Sequence, residues 1–482
     1  MKEFVFSLAS NTRLEKNNDG YFLISRVPLK ILRLNQSLFQ LLQHLQKKGT
    51  LSEFLNQNPQ LKEGRLLREL LLLTAGGYLS LDSAAELEDY PKVSVIIPVR
   101  DQPENLVECL QSLIQLHYPK DRLEILVIDD GSRHSLTEIT SPFYVKMIRL
   151  DESQGAAACR NIGAENASGS ILAFLDADCI ADKDWLREII PFFRAEGVGA
   201  VGGFVAGYYR ERYLDCYEEV ASPLNLGQRL IFEVDTKSTF YVPTCNLLVK
   251  RDVFRETGGF QHDLHLGEDV DFCWRMRNLG YNLLYVPLGR VAHKHRNHLT
   301  KMLGRRSEYG TSEAGLYRAH PEKRKRLPVS ISAVLCLVAL LLAIFLKNPY
   351  LCGFILLFFG LDLYRKYYIL KRFKVALPWT QLIYSILRSY FSFGYFALFH
   401  LVRYYLILLL ALGFLFHPLW FFCAAALLFT SAVDYWIKKP KLIYPVFLFF
   451  YTLEHLAYQT GVFRGCLKLR YFRSYLPVFS RV

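Results

Sequence analysis

The chain contains the run Ser170-Ile171-Leu172-Ala173-Phe174-Leu175-Asp176-Ala177-Asp178, an apolar segment that ends in two carboxylates one residue apart. A short, continuous apolar run of this kind predicts a buried β-strand. Ligands of open α/β sheets bind outside the carboxyl ends of the strands, so we expect Asp176 and Asp178 at a ligand-binding edge. Carboxylates suit a hard cation such as Mg²⁺ or Mn²⁺, which can bridge substrate phosphates. The alternative is two solvated acids in a loop.

Composition indicates a protein of several domains with a membrane-associated part. The 482 residues allow about three domains. Hydrophobic residues make up 51% of the chain, and the apolar excess lies after residue 327. The net charge of +13 is typical of binding to nucleic acid or to an anionic membrane surface. Because Lys and Arg cluster beside the apolar segments, we expect a lipid bilayer and no nucleic acid.

Cysteine usage and the first residues give further expectations. The ten cysteines form no Cys-x-x-Cys pair and have no zinc-like spacing with histidine, which predicts reduced thiols. The segment from Met1 to Arg13 lacks the apolar core and the cleavage site of a signal peptide.

Residues 1–88 are predicted to form a small winged-helix-like α+β module. Strand-like runs flank Asn17-Asn18-Asp19-Gly20, which favours a β-hairpin with an Asp-Gly turn. Leucines at helical spacing then predict two amphipathic helices, and Tyr78-Leu79-Ser80-Leu81 predicts a closing strand. The pattern resembles PqqD-like peptide-recognition domains, which present a sheet edge to a leader peptide. A purely structural cap is the alternative.

Two more predicted strands bring acids to the same edge as Asp176. Val93-Ser94-Val95-Ile96-Ile97-Pro98 is almost continuously apolar, as expected for a strand covered on both faces. After a predicted helix, Leu123–Ile128 leads into Asp129 and Asp130, which completes a βαβ unit. A carboxylate there can accept a hydrogen bond from a uracil imide or a ribose hydroxyl. Alternatively, Asp130 caps the next helix.

A predicted helix begins with small residues at Gly155-Ala156-Ala157-Ala158. Small residues let a ligand approach the backbone N–H groups, and Arg160 offers positive charge for a diphosphate. A helix packed tightly under the sheet is the alternative.

Four motifs in chain order resemble the nucleotide-sugar half of glycosyltransferase family 2. They are Val93-to-Asp101, Ile128-to-Ser132, Ala158-to-Asn161 and Leu175-to-Asp178. The resemblance implies a GT-A fold over residues 92–322, an α/β domain with a Rossmann-like mixed sheet. It implies a nucleotide-sugar site at Pro98, Val99, Arg100, Asp101, Asp129, Asp130, Arg160 and Asp176. The family usually carries Tyr-Asn where Arg100-Asp101 stands here, so base stacking is expected to differ.

The acceptor half of the same family is matched downstream at Gly267-to-Arg275, a predicted loop that enters a helix. The resemblance implies that Asp269 is the general base, and we place Glu268 beside it in the catalytic set. Glycosyl transfer needs a carboxylate to take the proton from the acceptor hydroxyl. The alternative is an acidic cluster favoured by the helix dipole, which we assign to Asp271.

A third metal ligand is implied by the run Val291-Ala292-His293-Lys294-His295-Arg296. Alternating histidines after an apolar strand share one face. Metal-dependent members of the fold often supply a histidine here, so His293 is expected to join Asp176 and Asp178 at Mn²⁺ or Mg²⁺. His295 is the alternative.

A second resemblance covers nearly the whole chain and concerns the mycofactocin-system glycosyltransferases. It rests on Tyr217-to-Val220, Gly267-to-Arg275, Val291-to-Arg296, Tyr309-to-Ser312, Arg318-to-Pro321 and Leu456-to-Gly465. That family joins a PqqD-like segment to a family 2 transferase and an apolar C-terminal region. The resemblance implies an inverting enzyme that moves glucose from UDP-glucose to a peptide-derived redox cofactor.

Residues 323–482 are predicted to be a helical membrane region. Apolar hairpins are expected at 329–363 and 404–436, with turns at Asn348-Pro349 and His417-Pro418 and an interfacial amphipathic helix at 382–403. Basic runs, Lys323-to-Arg326 among them, lie at the open ends, which predicts a cytoplasmic membrane protein whose catalytic domain faces the cytosol. Alternatively, the hairpins only enter the interface. Tyr444–Leu469 either lines an acceptor channel or only packs.

Together these observations predict a membrane-associated, metal-dependent hexosyltransferase that uses a UDP-sugar. A first alternative is a glycosyltransferase acting on a polyprenyl-phosphate or polysaccharide acceptor, although the Gln-x-x-Arg-Trp motif of processive synthases is absent from the sequence. A second is a non-catalytic membrane scaffold that binds a peptide through residues 1–88.

Overall fold

The computed structural model describes residues 3–264, 266–323 and 325–481. Arg324 of the predicted basic run lies outside these residues, as do Met1, Lys2 and Val482 at the ends of the predicted terminal parts. The first elements are β1 (Val5–Leu8), β2 (Thr12–Asn17), β3 (Gly20–Arg26), β4 (Leu29–Leu34), α1 (Gln36–Gln46), α2 (Leu51–Gln57), α3 (Glu63–Ala75) and β5 (Leu79–Ser83).

The N-terminal module, residues 3–83, contains the predicted hairpin. Strands β2, β3 and β4 form an antiparallel meander, and β1 pairs with β5. Asn17 pairs with Gly20, so the two loop residues are Asn18 and Asp19 rather than an Asp-Gly pair. The Asp19 N–H donates to Asn17 Oδ1 over 2.9 Å, a local bond that stabilises this turn. The winged-helix-like arrangement is not confirmed, since the three-stranded sheet precedes the helices.

The middle part of the chain contains eight α-helices and eleven strands among the described residues. They are β6 (Val93–Val99), α4 (Pro103–Ile114), β7 (Leu123–Asp129), α5 (Thr137–Thr140), β8 (Lys146–Arg149), α6 (Ala156–Asn166), β9 (Ile171–Phe174), β10 (Cys179–Ala181), α7 (Trp185–Ile189), β11 (Val198–Gly202), β12 (Val205–Gly207), α8 (Tyr213–Ala221), β13 (Ile231–Glu233), β14 (Leu247–Lys250), α9 (Arg251–Thr257), α10 (Glu268–Asn278), β15 (Asn282–Tyr285), β16 (Val291–His293) and α11 (Leu299–Ala319).

A mixed eight-stranded sheet organises this part, in the order β13-β15-β11-β14-β9-β6-β7-β8. Strands β9, β6, β7 and β8 run parallel, whereas β14 is antiparallel to both of its neighbours. Val95, Ile96 and Ile97 of β6 are all fully buried because helices cover both faces, which explains the continuous apolar run. Beside this sheet lies a smaller one, ordered β10-β16-β12, in which Cys179 faces His293.

The C-terminal part is mainly helical. Its elements are β17 (Arg326–Val329), α12 (Ile331–Phe345), α13 (Gly353–Arg372), α14 (Trp379–Tyr404), α15 (Leu406–Leu412), α16 (Pro418–Lys438), α17 (Tyr444–Leu469) and β18 (Val478–Arg481).

The apolar helices differ from the predicted hairpins. Helix α12 has 15 residues, and α15 has only seven, so the segment expected as the first leg of the second hairpin is not one long helix. The segment predicted as an interfacial helix, 382–403, lies within the 26-residue α14. Among the described residues, α14 and α16 are the two helices long and apolar enough to cross a membrane. Helix α14 accommodates polar residues because they have partners: Arg403 lies 3.3 Å from Glu454.

The N-terminal module contacts both other parts of the chain. Phe4 packs against Phe192 with ring centroids 5.1 Å apart, and Glu63 pairs with Arg194. Residues of β3 and β4 pack on the helical part, in a cluster that includes Phe22, Ile24, Leu370, Val375 and Leu382. The module therefore holds the α/β part and the helical part together.

Helices α11 and α17 cross at very short range because glycines lie at the contact. A Cβ on Gly310 would collide with the backbone of Tyr458, and one on Gly461 would collide with the backbone of Ser307. The Thr311 hydroxyl lies 3.3 Å from the Gly461 carbonyl oxygen and donates to it. This contact joins the helical part firmly to the α/β part.

Replacing Gly310 by alanine is expected to separate the two helices and to destabilise the protein by about 1–3 kcal/mol, the usual cost of overpacking. Gly304 lies on the same helix, and a Cβ added there would have no described heavy atom within 4 Å. Gly304→Ala should therefore be neutral or stabilising by up to about 1 kcal/mol, because alanine favours helix. Unfolding curves of both variants in detergent would measure this, and equal effects would contradict the close crossing.

Candidate active site

Three parallel strands bring the predicted acids to one edge of the large sheet. Strands β6, β7 and β9 end there together, and the Leu175 N–H donates to the Ile96 carbonyl oxygen over 3.2 Å, which extends the ladder towards Asp176. The side chains of Asp176 and Asp178 remain 30% and 28% exposed. The two carboxylates are thus fixed by buried backbone and open to a ligand, as the apolar run predicts.

Arg160 connects this edge to helix α10. Its side chain, only 4% exposed, places Nη2 2.7 Å from Asp176 Oδ1 and Nη1 2.9 Å from Glu268 Oε1. Burial lowers the pKa of Arg160, but the charges of Asp176 and Glu268 outweigh burial and raise that pKa above its ordinary value. The guanidinium predicted to face a diphosphate therefore already spans two carboxylates.

Asp178 and His293 form the other half of the edge. His293 Nε2 lies 3.6 Å from Asp178 Oδ1, whereas His295 Nε2 lies 3.0 Å from the buried Asp215. Burial raises the pKa of the Asp178 carboxyl, and the charge of His293 opposes that rise. Of the two histidines, the structure brings His293 to the predicted metal ligands and ties His295 to helix α8.

The chemistry of these donors fits a divalent cation. No group of three or more His, Cys, Asp or Glu side chains that could hold a metal ion is found in the described residues. Mg²⁺-type sites, however, usually combine one or two carboxylates with water and substrate phosphates rather than an all-protein cage. Asp178 and His293 supply an oxygen and a nitrogen, and Asp176 keeps one carboxylate oxygen outside its contact with Arg160. The residues present therefore suit a cation that is completed by a phosphorylated substrate.

Asp130 holds the loop that begins helix α6. Its carboxylate accepts hydrogen bonds from the Ser153 hydroxyl at 2.7 Å and from the backbone N–H groups of Gln154 and Gly155 at 2.6 Å and 3.1 Å. These bonds fix the turn before α6 and do not cap its first turn, so the capping role that the sequence left open is not seen and the nucleotide-binding role of Asp130 stays a prediction.

The remaining predicted nucleotide-sugar residues lie around the same loop. Pro98 and Val99 end β6, and Asp129 ends β7, where it accepts from the Ser132 N–H over 2.9 Å. Arg100 donates to the Ser153 hydroxyl over 2.8 Å, and Asp101 accepts from the Arg133 N–H over 2.8 Å. Three loops are thus cross-linked into one surface beside Asp176.

Asp269 lies in the first turn of α10, which begins after Gly267 at φ +86°. Its Oδ1 accepts from the Val270 N–H over 2.8 Å. Burial, followed by the neighbouring charge of Glu268, raises the pKa of Asp269 to about 7. Because the side chain remains partly exposed, it is a desolvated carboxyl that a substrate can still reach.

Asp271, two residues further along, has fixed partners. It lies 2.7 Å from both Arg275 and His320. Burial raises the pKa of Asp271, but the hydrogen bonds from His320 and Arg275 prevail and lower it. This aspartate is a structural ion-pair partner, unlike Asp269.

Three tyrosines to which the sequence analysis gave no role form a group that reaches Asp269 through Tyr241 and Tyr309. The pKa of Tyr241 is raised by burial and then by Asp269, Tyr309 and Tyr458, which lie close enough to act on it. Arg403 stacks on the Tyr458 ring at 3.6 Å from its centroid. They were missed because they come from a loop, α11 and α17, three segments distant in sequence.

Asn161 was also given no role in the sequence analysis, although it ends one of the quoted motifs. Its amide donates to the Phe260 carbonyl oxygen over 2.8 Å and accepts from the Phe260 N–H over 2.9 Å. This paired bond fixes the chain upstream of Gly267 and hence the start of helix α10.

Comparison with known proteins identifies the domain that carries this site. Residues 94–258 match the family model described as glycosyl transferase family 2. The chain therefore carries a family 2 glycosyltransferase domain, and the predicted enzyme class and GT-A-like fold with a mixed sheet are confirmed for it.

Two curated relatives are similar to part of the chain. The pre-mycofactocin glycosyltransferase of Mycobacterium tuberculosis is 32% identical over 247 residues, which cover 50% of this chain and 51% of that protein. The glycosyltransferase AglE of Haloferax volcanii is 36% identical over 207 residues, covering 41% of this chain and 64% of that protein. The chain thus spans about half to two thirds of the length of these relatives.

Among solved structures, a mannosyltransferase from Pyrobaculum calidifontis in complex with GDP-Man and Mn²⁺ is 18% identical in sequence. The match covers 64% of this chain and 89% of the mannosyltransferase chain, with a TM-score of 0.39. That score is too low to support an argument about this chain.

Removing the Arg160 guanidinium should leave the largely buried Glu268 and the partly exposed Asp176 without their cation. We expect Arg160→Met to lower the free energy of unfolding by about 3–5 kcal/mol, the usual effect of breaking a buried ion pair. Arg122→Met, which removes an exposed pair with Asp89, should cost less than about 1 kcal/mol. Denaturant titration of both variants would measure the difference, and similar small losses would show that the bridge contributes little.

Proposed function

We propose that this protein is a membrane-associated, metal-dependent, inverting glycosyltransferase that moves glucose from UDP-glucose to a peptide-derived redox cofactor of the mycofactocin type. The observation that carries the proposal is Asp269, a substrate-accessible carboxyl whose pKa is raised to about 7, linked through Glu268 and Arg160 to the edge that carries Asp176 and Asp178. A direct displacement at a sugar carbon needs a base near the attacking hydroxyl and an edge that binds the anionic leaving group, and these residues could supply both.

On the donor side, the loops around Arg100, Asp101 and Asp130 form the surface for the nucleoside part of the UDP-sugar. Asp178, His293 and the free oxygen of Asp176 would hold Mn²⁺ or Mg²⁺. When bound, such a cation neutralises charge that develops on the diphosphate leaving group. Arg160 keeps Asp176 in position from below the sheet edge.

On the acceptor side, Asp269 takes the proton from the attacking hydroxyl. The oxygen of that hydroxyl forms the new bond to the anomeric carbon, and the bond from that carbon to the diphosphate oxygen breaks. The products are the glycoside, UDP and a proton held by Asp269. Because the incoming and leaving oxygens lie on opposite sides of the anomeric carbon, a single step inverts its configuration.

The acceptor is received between helix α10 and the tyrosines of the helical part. Tyr241 comes from the α/β part, Tyr309 from α11 and Tyr458 from α17. Asp269 lies near Tyr241 and Tyr309, and Tyr458 lies near Tyr241. Rings of this kind can stack on a flat or pyranose acceptor. Helix α17 therefore contributes to the acceptor channel, one of the two roles the sequence left open.

The similarity to the pre-mycofactocin glycosyltransferase supports the choice of acceptor. The N-terminal module would recognise the peptide part, in keeping with its resemblance to PqqD-like domains. A second candidate acceptor is a lipid-linked one, such as a polyprenyl phosphate, which the exposed apolar residues of the C-terminal helices favour.

Membrane association is supported by the same helices. Large apolar side chains such as Leu356, Phe421 and Trp436 are more than three quarters exposed, and a bilayer would cover such a surface. Basic residues at the end of α13 and α16, including Arg372 and Lys438, flank it. We infer a protein of the cytoplasmic membrane with its catalytic domain in the cytosol.

The experiment that tests the proposal is a donor screen on detergent-purified protein, which follows UDP release with Mn²⁺, with Mg²⁺ or with a chelator. UDP-glucose should be used selectively, and only with metal. Asp178→Asn should lower turnover by about 100-fold, whereas Asp182→Asn, an exposed acid at the far end of β10, should not. Activity with another donor would replace glucose in the proposal, and metal-independent turnover would remove the metal from it.

The pH profile tests Asp269. A carboxylate base acts when deprotonated, so kcat/KM should rise about tenfold per pH unit at low pH and level off above about 7, the raised pKa. Asp269→Asn should lower kcat by about 10²–10⁴-fold while UDP binding persists. The matched control is Asp252→Asn, because Asp252 is also the second residue of its helix, α9, and also accepts from the next backbone N–H. An unchanged rate in Asp269→Asn would exclude it as the base.

A further inference from the structure

A small cavity lies on the side of strand β16 next to helix α8. Strand β12 lines it on one side, and Glu218 of α8 and Ser222, the residue after α8, line it on another. The side chains of His293 and His295 complete the wall. Its volume of about 10 Å³ is room for about one water molecule. Polar side chains around a space of this size are the condition under which a buried water is retained.

Two buried groups line this space, and one of them has an unpartnered polar atom. The side chain of His295 is 5% exposed; its Nε2 pairs with Asp215, and its Nδ1 has no hydrogen-bond partner among the described residues. The side chain of Glu218 is also 5% exposed. Burial raises the pKa of Glu218, and the charges of Arg306 and His293 oppose that rise, so His293 is near enough to act on this carboxyl.

We propose that Glu218 is a positioning residue for His293, acting through one water molecule in this cavity that also satisfies His295 Nδ1. The inference rests on the metal role proposed for His293. Metal-binding histidines almost always offer their second ring nitrogen to a carboxylate, a carbonyl or a water, which fixes the orientation of the ring and strengthens the metal bond. Glu218 supplies that carboxylate from helix α8.

Glu218 is held in turn by helices outside the family-matched domain. Arg306 of α11 places Nη2 2.6 Å from Glu218 and Nε 3.5 Å from Glu454 of α17. Glu454 also accepts from the Tyr217 hydroxyl over 2.7 Å and lies 3.3 Å from Arg403 of α14. Helices α8, α11, α14 and α17 therefore meet at one buried ionic cluster that leads to His293.

Stability alone gives little reason for such a cluster. Desolvating several charges costs about as much as their attraction returns, and apolar residues of similar volume often serve equally well. Orienting a metal ligand would explain why these side chains are charged, whereas packing alone would not. It also makes the metal site dependent on the docking of the C-terminal helices.

The test measures Mn²⁺ binding to the full-length protein by electron paramagnetic resonance of free Mn²⁺, with and without UDP. Glu218→Gln should weaken Mn²⁺ binding by about 10–100-fold, the usual effect of losing an outer-sphere partner. Glu454→Gln should shift it in the same direction. The control is Glu313→Gln. Glu313 is a buried acid on α11, the helix that carries Arg306, but it pairs with Lys325 and Tyr404 instead of Arg306. The Mn²⁺ affinity of this variant should equal that of the wild type.

A second variant probes the water without altering any charge. A Cβ on Gly207 would lie 3.5 Å from His295 Nδ1, an ordinary contact that fills the cavity without a collision. Gly207→Ala should therefore expel the water and weaken Mn²⁺ binding at least about tenfold.

The outcomes separate the two proposals. If the wild type binds no Mn²⁺ with or without UDP, the metal role of His293 fails and this inference fails with it. If the wild type binds Mn²⁺ but Glu218→Gln binds it equally well, only the positioning role is overturned. Normal binding by Gly207→Ala would overturn the bridging water.

Discussion

The buried guanidinium of Arg160 sets the charge balance of the whole site. It lies between Asp176 of the sheet edge and Glu268 of helix α10, at 2.7 Å and 2.9 Å. One cation can offset only part of a cluster that also contains Asp269. Burial, followed by the charge of Glu268, raises the pKa of Asp269 to about 7, and the charge of Arg160 opposes that rise without cancelling it. The same bridge that joins the sheet edge to helix α10 thus leaves beside it a carboxyl that titrates near neutral pH.

A second constraint acts on the acceptor side, where the α/β part ends and the helices begin. Gly310 and Gly461 bring α11 and α17 to backbone contact, so Tyr309 and Tyr458 are held by a rigid pair of helices rather than by loops. Helix α11 also reaches Asp271 through His320, at 2.7 Å. The first turn of α10 is therefore held from both sides, and the helical part becomes a structural wall of the active site.

Much of this arrangement was predictable because burial leaves a strong pattern in sequence. Strands such as β6, covered on both faces, are continuous apolar runs, and acids directly after them can only lie at the sheet edge. The pairing of Arg160 was not predictable, because its two partners come from distant segments. Asp130 was ambiguous for a different reason: a carboxylate after a strand suits a ligand and a helix start equally well. Helix α14 was expected to lie in the interface because of polar residues such as Arg403, and these have buried partners that hydropathy does not register.

The two histidines show where sequence periodicity stops being informative. His293 and His295 are two residues apart, so an extended strand would present both to the same face. In the structure, β16 ends at His293, and the His295 N–H donates back to the His293 carbonyl oxygen over 3.0 Å, which turns the chain. The two rings then differ in their partners: His293 faces Asp178, and His295 is held by the buried Asp215 of α8. Because α8 also carries Glu218, one helix both holds His295 and lines the cavity beside His293. Which of the two histidines faces Asp178 is therefore a property of helix packing, which no pattern within the motif contains.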